Sequence, residues 1–284
     1  MNVMKDTPTE NVLQVENFTM RYATRKGDVS AVEDVSFSLA RGEALGLVGE
    51  SGCGKTSVAV ALLRLLPDNA HIVAGSVKLN GVDMLTLSDS EVRRRRWKEI
   101  AMVFQAAMNS LNPVYTVEEQ IIEAMRQHTP ELSPQQMGAR IDELFTLVGL
   151  DPVLKSQYPH QYSGGMRQCA VIALALACNP DIIIADEPTT ALDVIVQDGV
   201  LKCMREIQQR LNMAMIYISH DIAVIAEVSD RVAVMYAGRL VEIGRTEDIF
   251  HNPRHPYTSA LMQSFPSVSG EKHELVTLPG EPPD

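Results

Sequence analysis

Apolar and polar residues alternate in two segments near the start of the chain, Val12-Leu13-Gln14-Val15 and Val35-Ser36-Phe37-Ser38-Leu39, and this period predicts half-buried strands. Arg41-Gly42-Glu43 breaks the pattern as a turn. Ala44-Leu45-Gly46-Leu47-Val48 is then apolar throughout, as a strand covered on both faces would be. A glycine-rich loop follows. Ser57 to Leu66, rich in Val, Ala and Leu, predicts a helix that stops at Pro67-Asp68-Asn69. Val77-Lys78-Leu79-Asn80-Gly81 predicts a strand running into a hairpin turn.

From about Val117 to Ala177 the period changes to that of helices. Ser133-Pro134-Gln135-Gln136 opens one of them, with a capping serine, a proline in the first turn and a glutamine three residues on. Met137, Ile141, Leu144 and Val148 then form a core-facing stripe. Ile182-Ile183-Ile184-Ala185 and Met215-Ile216-Tyr217-Ile218 predict buried strands flanking a helix from about Val194 to Leu211. That order implies a parallel sheet with helices on its faces. Val232-Ala233-Val234-Met235 and Leu240-Val241-Glu242-Ile243, joined through Ala237-Gly238, predict a last hairpin. From about Pro253 the chain is rich in Pro, Ser, Gly and Glu, and little independent structure is expected.

Composition narrows the class. A chain of 284 residues is enough for one large domain or two lobes around a shared core. A formal net charge of −11 argues against a general nucleic-acid binder. The exception is the run Arg93-Arg94-Arg95-Arg96-Trp97-Lys98, which reads either as a solvated loop or helix face or as a contact with anionic lipid or nucleic acid. No run of about 18 apolar residues occurs, so no transmembrane helix is expected. Met1 to Glu10 is polar and carries no apolar signal segment. A cytoplasmic protein is expected, with any membrane-spanning part supplied by other chains. Cys53, Cys169, Cys178 and Cys203 lie far apart with no C-x-x-C, which suits reduced thiols better than a disulfide framework or a zinc site.

Three segments carry chemistry. Gly49-Glu50-Ser51-Gly52-Cys53-Gly54-Lys55-Thr56 matches G-x-x-x-x-G-K-[ST] between a buried strand and a helix. Such glycines let the backbone curl so that N–H groups converge on phosphate oxygens, and the helix N-terminus adds positive potential. Lys55 would neutralise the β- and γ-phosphates, and the Thr56 hydroxyl would ligate Mg²⁺. Ile182-Ile183-Ile184-Ala185-Asp186-Glu187 is an apolar strand ending in two carboxylates. Asp186 is placed for the Mg²⁺ shell and Glu187 to accept a proton from an attacking water; a capping pair at a strand–loop junction is the alternative, which the phosphate loop disfavours. Tyr162-Ser163-Gly164-Gly165-Met166-Arg167-Gln168 opens a helix whose free N–H groups face an anion.

The phosphate loop, this serine–glycine–glycine start shortly before the acidic strand, and a histidine after the next strand together resemble the ABC ATPases. The resemblance covers about residues 12 to 265. It implies an α/β fold: a P-loop nucleotide-binding domain with a RecA-like parallel-sheet core, an antiparallel β subdomain and a helical subdomain. The domain would span residues 1–260, with the helical part at about 107–177 and a Pro/Gly/Glu-rich tail at 261–284. It implies ATP and Mg²⁺ as cofactors. It also implies a composite site, in which Ser163, Gly164 and Gly165 meet the γ-phosphate bound to an opposing subunit.

Further positions follow from the same resemblance. Tyr22 sits where an aromatic residue stacks on adenine, although a core aromatic at a strand end would look the same. Gly49, Ser51, Gly52, Cys53, Gly54, Lys55, Thr56 and Ser57 would surround the phosphates. Gln105 matches the glutamine that senses Mg²⁺ and the γ-phosphate and begins the loop toward the membrane subunit. With Thr56 and, through water, Asp186, it would complete the metal shell. Asp193 matches the aspartate that couples the two sites. His220 matches the histidine on the γ-phosphate; Glu187, His220 and Gln105 are the implied catalytic set.

Gly164-Gly165-Met166-Arg167-Gln168, Ala185 to Val194 and Asn252-Pro253-Arg254-His255-Pro256-Tyr257-Thr258 look like the peptide-importer branch, which also serves nickel, glutathione and oligosaccharides. The implied partners are two transmembrane permease subunits, a second ABC ATPase subunit and, indirectly, an extracytoplasmic solute-binding protein. No nucleic acid is expected, and the chain would work at the cytoplasmic face of the cell membrane. Departures are Ala106-Ala107, where the branch usually has Asp-Pro, and Cys169, where arginine is usual. Members that continue into a cysteine-rich segment hold an iron–sulfur cluster; no such cysteines occur here, and none is expected. A non-transport ABC ATPase acting on DNA or ribosomes is the alternative, with only the Arg93–Arg96 run in its favour.

Overall fold

Two sheets organise the chain, and the short central strands of one of them divide the apolar side chains between two cores. The computed structural model describes residues 10–105, 110–190 and 192–264. β1 (Asn11–Thr24) and β2 (Gly27–Ala40) form a long antiparallel hairpin closed at Arg25-Lys26. β3 (Ala44–Val48) leads through the glycine loop into α1 (Lys55–Leu62). β4 (Ala70–Leu79) and β5 (Val82–Asp83) extend the hairpin into a four-stranded sheet of order β2-β1-β4-β5.

α2 (Asp89–Arg95) starts on a capping box, with Ser88 receiving the Glu91 N–H and Glu91 receiving the Ser88 N–H. β6 (Ile100–Val103) follows. Three helices then pack on one another: α3 (Val117–His128), α4 (Pro134–Leu147) and α5 (Gly164–Ala175). The expected cap at Ser133 forms with Gln136, and Met137, Ile141, Leu144 and Val148 are all buried.

β7 (Ile182–Asp186), α6 (Val194–Leu211), β8 (Ala214–Ile218), α7 (Ile222–Val228), β9 (Arg231–Tyr236) and β10 (Arg239–Arg245) complete a six-stranded sheet of order β10-β9-β3-β8-β7-β6. Every pairing in it is parallel except β9 with β10. α8 (Thr246–His251) and α9 (Pro256–Gln263) end the described chain.

β3, β7 and β8 are buried at every residue, which explains their apolar sequence, broken only by Asp186 at the end of β7. Their two faces go to different cores. Ala44, Val48, Ile183, Ala185, Met215 and Tyr217 join the core that holds the helices α3 to α6. Leu45, Leu47, Ile182, Ile184, Ile216 and Ile218 join the core beneath α1 and the antiparallel sheet. Burying each large aliphatic side chain stabilises the fold by roughly 1.5–3 kcal/mol, and a slip of one residue would send every side chain of these strands into the opposite core.

Two local expectations are corrected. The first helix runs from Lys55 to Leu62, not Ser57 to Leu66. Leu63 caps it, and Arg64 turns left-handed with φ 50°. The carbonyls freed there are taken by Arg96, whose Nε donates to Leu63 O at 2.7 Å and Nη2 to Arg64 O at 2.6 Å. The arginine run is therefore divided: Arg96 is a helix cap and Arg95 pairs with Glu99 at 2.6 Å, while Arg93, Arg94 and Lys98 are exposed. Finally, the segment after Pro253 is not structureless, because α9 forms within it. The rest of the expected tail lies outside the described residues from 265 onward.

Candidate functional site

Parallel pairing of β7, β8 and β3 brings their carboxyl ends to one edge of the sheet, where ligands of open α/β sheets bind. The glycine loop, Asp186-Glu187 and Ser219-His220 all leave from that edge. Between them lies a cavity of about 360 Å³, lined by Ser51, Gly52, Gly54, Lys55, Thr56, Ser57, Gln105, Glu187, Ile218 and His220.

The loop needs glycine where it is tightest. Gly49 has φ 149°, and a Cβ there would sit 2.2 Å from Met235 O and 2.8 Å from Cys53 Sγ. Gly54 has φ 106°, with Ala31 O 2.4 Å from its missing Cβ. Lys55 begins α1 and is only 7% exposed. Its Nζ donates to Gly49 O at 2.7 Å and Glu50 O at 2.8 Å, and lies 3.6 Å from Cys53 Sγ. The ammonium is thus held against its own loop at the lining of the cavity. Burial pushes the Cys53 thiol up despite that ammonium, so it is a packed thiol, not a reactive thiolate.

Asp186 ends β7 and is 2% exposed. Burial pushes its carboxyl up, with the neighbouring Glu187 charge adding to this, while a hydrogen bond from Thr56 and the Lys55 charge act against it. Glu187 follows in a left-handed conformation, φ 47°, which costs a non-glycine residue roughly 1–2 kcal/mol. The backbone is pinned there by its N–H donating to Ile218 O at 2.8 Å. The twist turns the Glu187 side chain into the cavity. Oε2 accepts from Gln105 Nε2 at 2.8 Å and Thr190 Oγ1 at 3.0 Å, and Oε1 lies 3.0 Å from His220 Nδ1. Burial alone would push this carboxyl up; hydrogen bonds from His220 and Thr190, with the charges of His220 and Lys55, outweigh it and hold the carboxyl below its ordinary value.

The remaining sequence-derived positions divide in two. Tyr22 reaches the edge of the cavity through Ser57, its hydroxyl 3.2 Å from Ser57 Oγ. Ser163, Gly164, Gly165 and Asp193 do not line the cavity. Ser163 caps α5, accepting the Met166 N–H at 3.3 Å, and Asp193 caps α6, accepting the Val196 N–H at 3.0 Å. The two helix starts abut: a Cβ on Gly165 would stand 2.6 Å from Val196 Cγ1. Directly after Asp193, Val194 and Ile195 are 81% and 84% exposed. Ala106 and Ala107 lie outside the described residues.

Sequence reasoning missed two contributors. Thr190 holds Glu187 from three residues downstream, a contact visible only once the turn after the strand is built. Tyr257, on α9, accepts the Glu50 N–H at 3.2 Å; its segment had been singled out as a branch marker with no role attached.

Comparison with known proteins places these features in context. Residues 32–190 match the family model described as ABC transporter, and residues 241–284 that described as oligopeptide/dipeptide transporter, C-terminal region. The dipeptide transport ATP-binding protein DppD of Bacillus subtilis (strain 168) is 46% identical over 278 residues, covering 97% of this chain and 83% of that one. The oligopeptide transport ATP-binding protein OppD of the same organism is 45% identical over 278 residues, covering 96% and 77%. Among solved structures, the dimeric post-hydrolysis state of the ATP-binding cassette MJ0796 bound to ADP and Pi superposes with a TM-score of 0.72 at 25% identity, covering 82% of this chain and 98% of that chain.

Proposed function

The chain belongs to the ABC transporter family, and from that premise we propose that it is the ATP-hydrolysing motor subunit of a membrane importer for dipeptides or oligopeptides. The observation that carries the reading is Glu187, held by Gln105, Thr190 and His220 at the mouth of a cavity whose floor is the phosphate loop. In it, the loop N–H groups and the start of α1 receive the phosphates of ATP. Lys55 exchanges its contacts to Gly49 O and Glu50 O for phosphate oxygens. Glu187, ionised at neutral pH, takes a proton from the attacking water, and His220 faces the γ-phosphate.

The donor set suits Mg²⁺, a hard cation that takes oxygen ligands. Asp186 is a carboxyl that burial pushes up, with the Thr56 hydroxyl on it and the Gln105 amide across the cavity. Thr56, Gln105 and Asp186, the last through water, are the residues that would hold the ion. When bound, it neutralises charge on the phosphates.

Ser163, Gly164, Gly165 and Asp193 stand apart from the cavity, and in this reading they face the nucleotide of a second ATPase subunit. Val194 and Ile195, exposed beside Asp193, are the apolar surface such a pairing would cover. Tyr22 is proposed for the adenine. The permease partners would supply the membrane span, since among the described residues no helix is long and apolar enough to cross a membrane. The chain would sit peripherally on the cytoplasmic face, with a solute-binding protein outside selecting the cargo.

The test is a tagged purification from gently solubilised membranes of the native host, with ATP turnover measured on the product. Two multi-span permeases and a second ATPase are expected to co-purify, with turnover raised by a peptide-loaded binding protein. Recovery with ribosomes or nucleic acid and no permease would overturn the importer reading.

A further inference from the structure

Asn252-Pro253-Arg254-His255-Pro256-Tyr257-Thr258 has no part in the nucleotide chemistry described above, yet it touches the phosphate loop. Glu242, on β10, accepts the Arg254 N–H at 2.8 Å and the His255 N–H at 3.0 Å. This fixes the chain as it enters α9. Pro256 occupies the first turn, where a missing N–H costs nothing, and His255 Nδ1 accepts the Tyr257 N–H at 3.2 Å. The Tyr257 ring is then laid against Tyr236, centroids 4.5 Å apart and planes tilted by 43°. Its hydroxyl accepts the Glu50 N–H at 3.2 Å.

That N–H belongs to the peptide group joining Gly49 to Glu50, and the carbonyl of the same group accepts Lys55 Nζ at 2.7 Å. One peptide plane therefore carries Tyr257 on one edge and Lys55 on the other. Burial pushes the Tyr257 hydroxyl up to about 12, so the phenol stays neutral and can serve an N–H donor across the working pH range. The loop is braced nearby by the hairpin as well, with Gly238 N–H donating to Cys53 O at 3.0 Å.

We propose that Tyr257 is a positioning residue for the phosphate loop: by fixing the Gly49–Glu50 peptide plane it sets the resting place of Lys55 and pre-orders the loop for the phosphates of ATP. The C-terminal segment is thereby tied to nucleotide affinity. The inference rests on the nucleotide reading of the loop. Tyr257 does not touch the reacting atoms, so its removal acts on binding and leaves the chemical step alone.

The experiment uses the full chain, trinitrophenyl-ATP as the probe, and displacement by ATP and by ADP. Tyr257→Phe keeps the ring on Tyr236 and deletes only the hydroxyl. Loss of one neutral hydrogen bond that pre-orders the loop should raise the dissociation constants of both nucleotides roughly 3- to 10-fold. In the assembled transporter KM for ATP rises by the same factor with kcat within about twofold, and the melting temperature falls by no more than about 4 °C. Unchanged affinity for both nucleotides, or a fall in kcat at unchanged KM, overturns the proposal. If Tyr257→Phe does not fold, Glu242→Gln, which loosens the entry to α9, takes its place: a rise in both constants supports the proposal and unchanged constants overturn it. Lys55→Ala is the control. If it binds nucleotide as well as the wild type, the reading of the loop itself fails; if it loses binding while Tyr257→Phe does not, only the role of Tyr257 fails.

Discussion

Glu187 Oε1 and His220 Nδ1 lie 3.0 Å apart, with the carboxylate side chain 18% exposed and the imidazole side chain 70% exposed. The acid is shielded and fixed by three neighbours, while the histidine reaches outward over the cavity. Replacing Glu187 by Gln keeps shape and removes the base. ATP turnover is expected to fall ~10²–10⁴-fold while ATP binding by fluorescence titration is retained; unchanged turnover would remove Glu187 from the base role.

The pH profile tests the electrostatics of the same group. Its hydrogen bonds hold the Glu187 carboxyl below the 4.5 of an ordinary glutamate. The proposed base is therefore ionised at all higher pH, and its charge is lost only as pH falls through that depressed value. A kcat–pH profile of the assembled ATPase should show no acid limb from this carboxylate above about pH 5. A limb near pH 6 to 7 that Glu187→Gln abolishes would contradict the geometry.

Within the arginine run, position decides the effect. Arg96 donates to Leu63 O and Arg64 O at the end of α1, and hydrogen bonds from a charged donor are worth about 1.5–3 kcal/mol each when well shielded. Because Arg96 is only half-buried, Arg96→Ala should cost about 1–3 kcal/mol in denaturant unfolding. Arg93→Ala and Arg94→Ala, on exposed side chains, should stay within about 0.5 kcal/mol. Equal losses at all three positions would show that the run acts as a field and not through one cap.

Glu242 gives a pH-dependent stability. Burial would push its carboxyl up, but hydrogen bonds to it, that from the Arg254 N–H foremost, with the His255 charge, outweigh the burial and leave the folded value below 4.5. A depressed folded pKa gives stability that is present above the unfolded value and lost as pH falls through the folded one. The melting temperature of the wild type should therefore drop below about pH 4.5 by more than that of Glu242→Gln. Parallel curves for the two proteins would exclude the clamp.

The sheet core and the phosphate loop were legible because both are local. Unbroken apolar runs at Ala44–Val48 and residues 182–185 mark strands buried on both faces, and the glycine spacing between the first of them and a helix leaves few alternatives. What was not legible depends on long-range contacts. The helix α1 ends four residues early because Arg96, 33 residues beyond Leu63, takes its carbonyls. Tyr257 meets Glu50 across 207 residues, a contact that no local period could announce. Ser163 and Asp193 are legible as motifs, yet the fold keeps them on the starts of neighbouring helices away from the cavity.

The central place of β3 bears on when the chain becomes able to bind nucleotide. Its sheet neighbours among the described residues are β8 and β9, whose residues begin at Ala214 and Arg231. During synthesis the strand that launches the phosphate loop emerges early and then waits for partners more than 160 residues downstream, a delay of roughly 8 to 35 s at ordinary elongation rates. The phosphate loop is therefore written well ahead of the strands that hold it. A chain cut short before β8 therefore carries the complete glycine motif on a strand that has neither of its sheet neighbours, and is expected not to hold ATP.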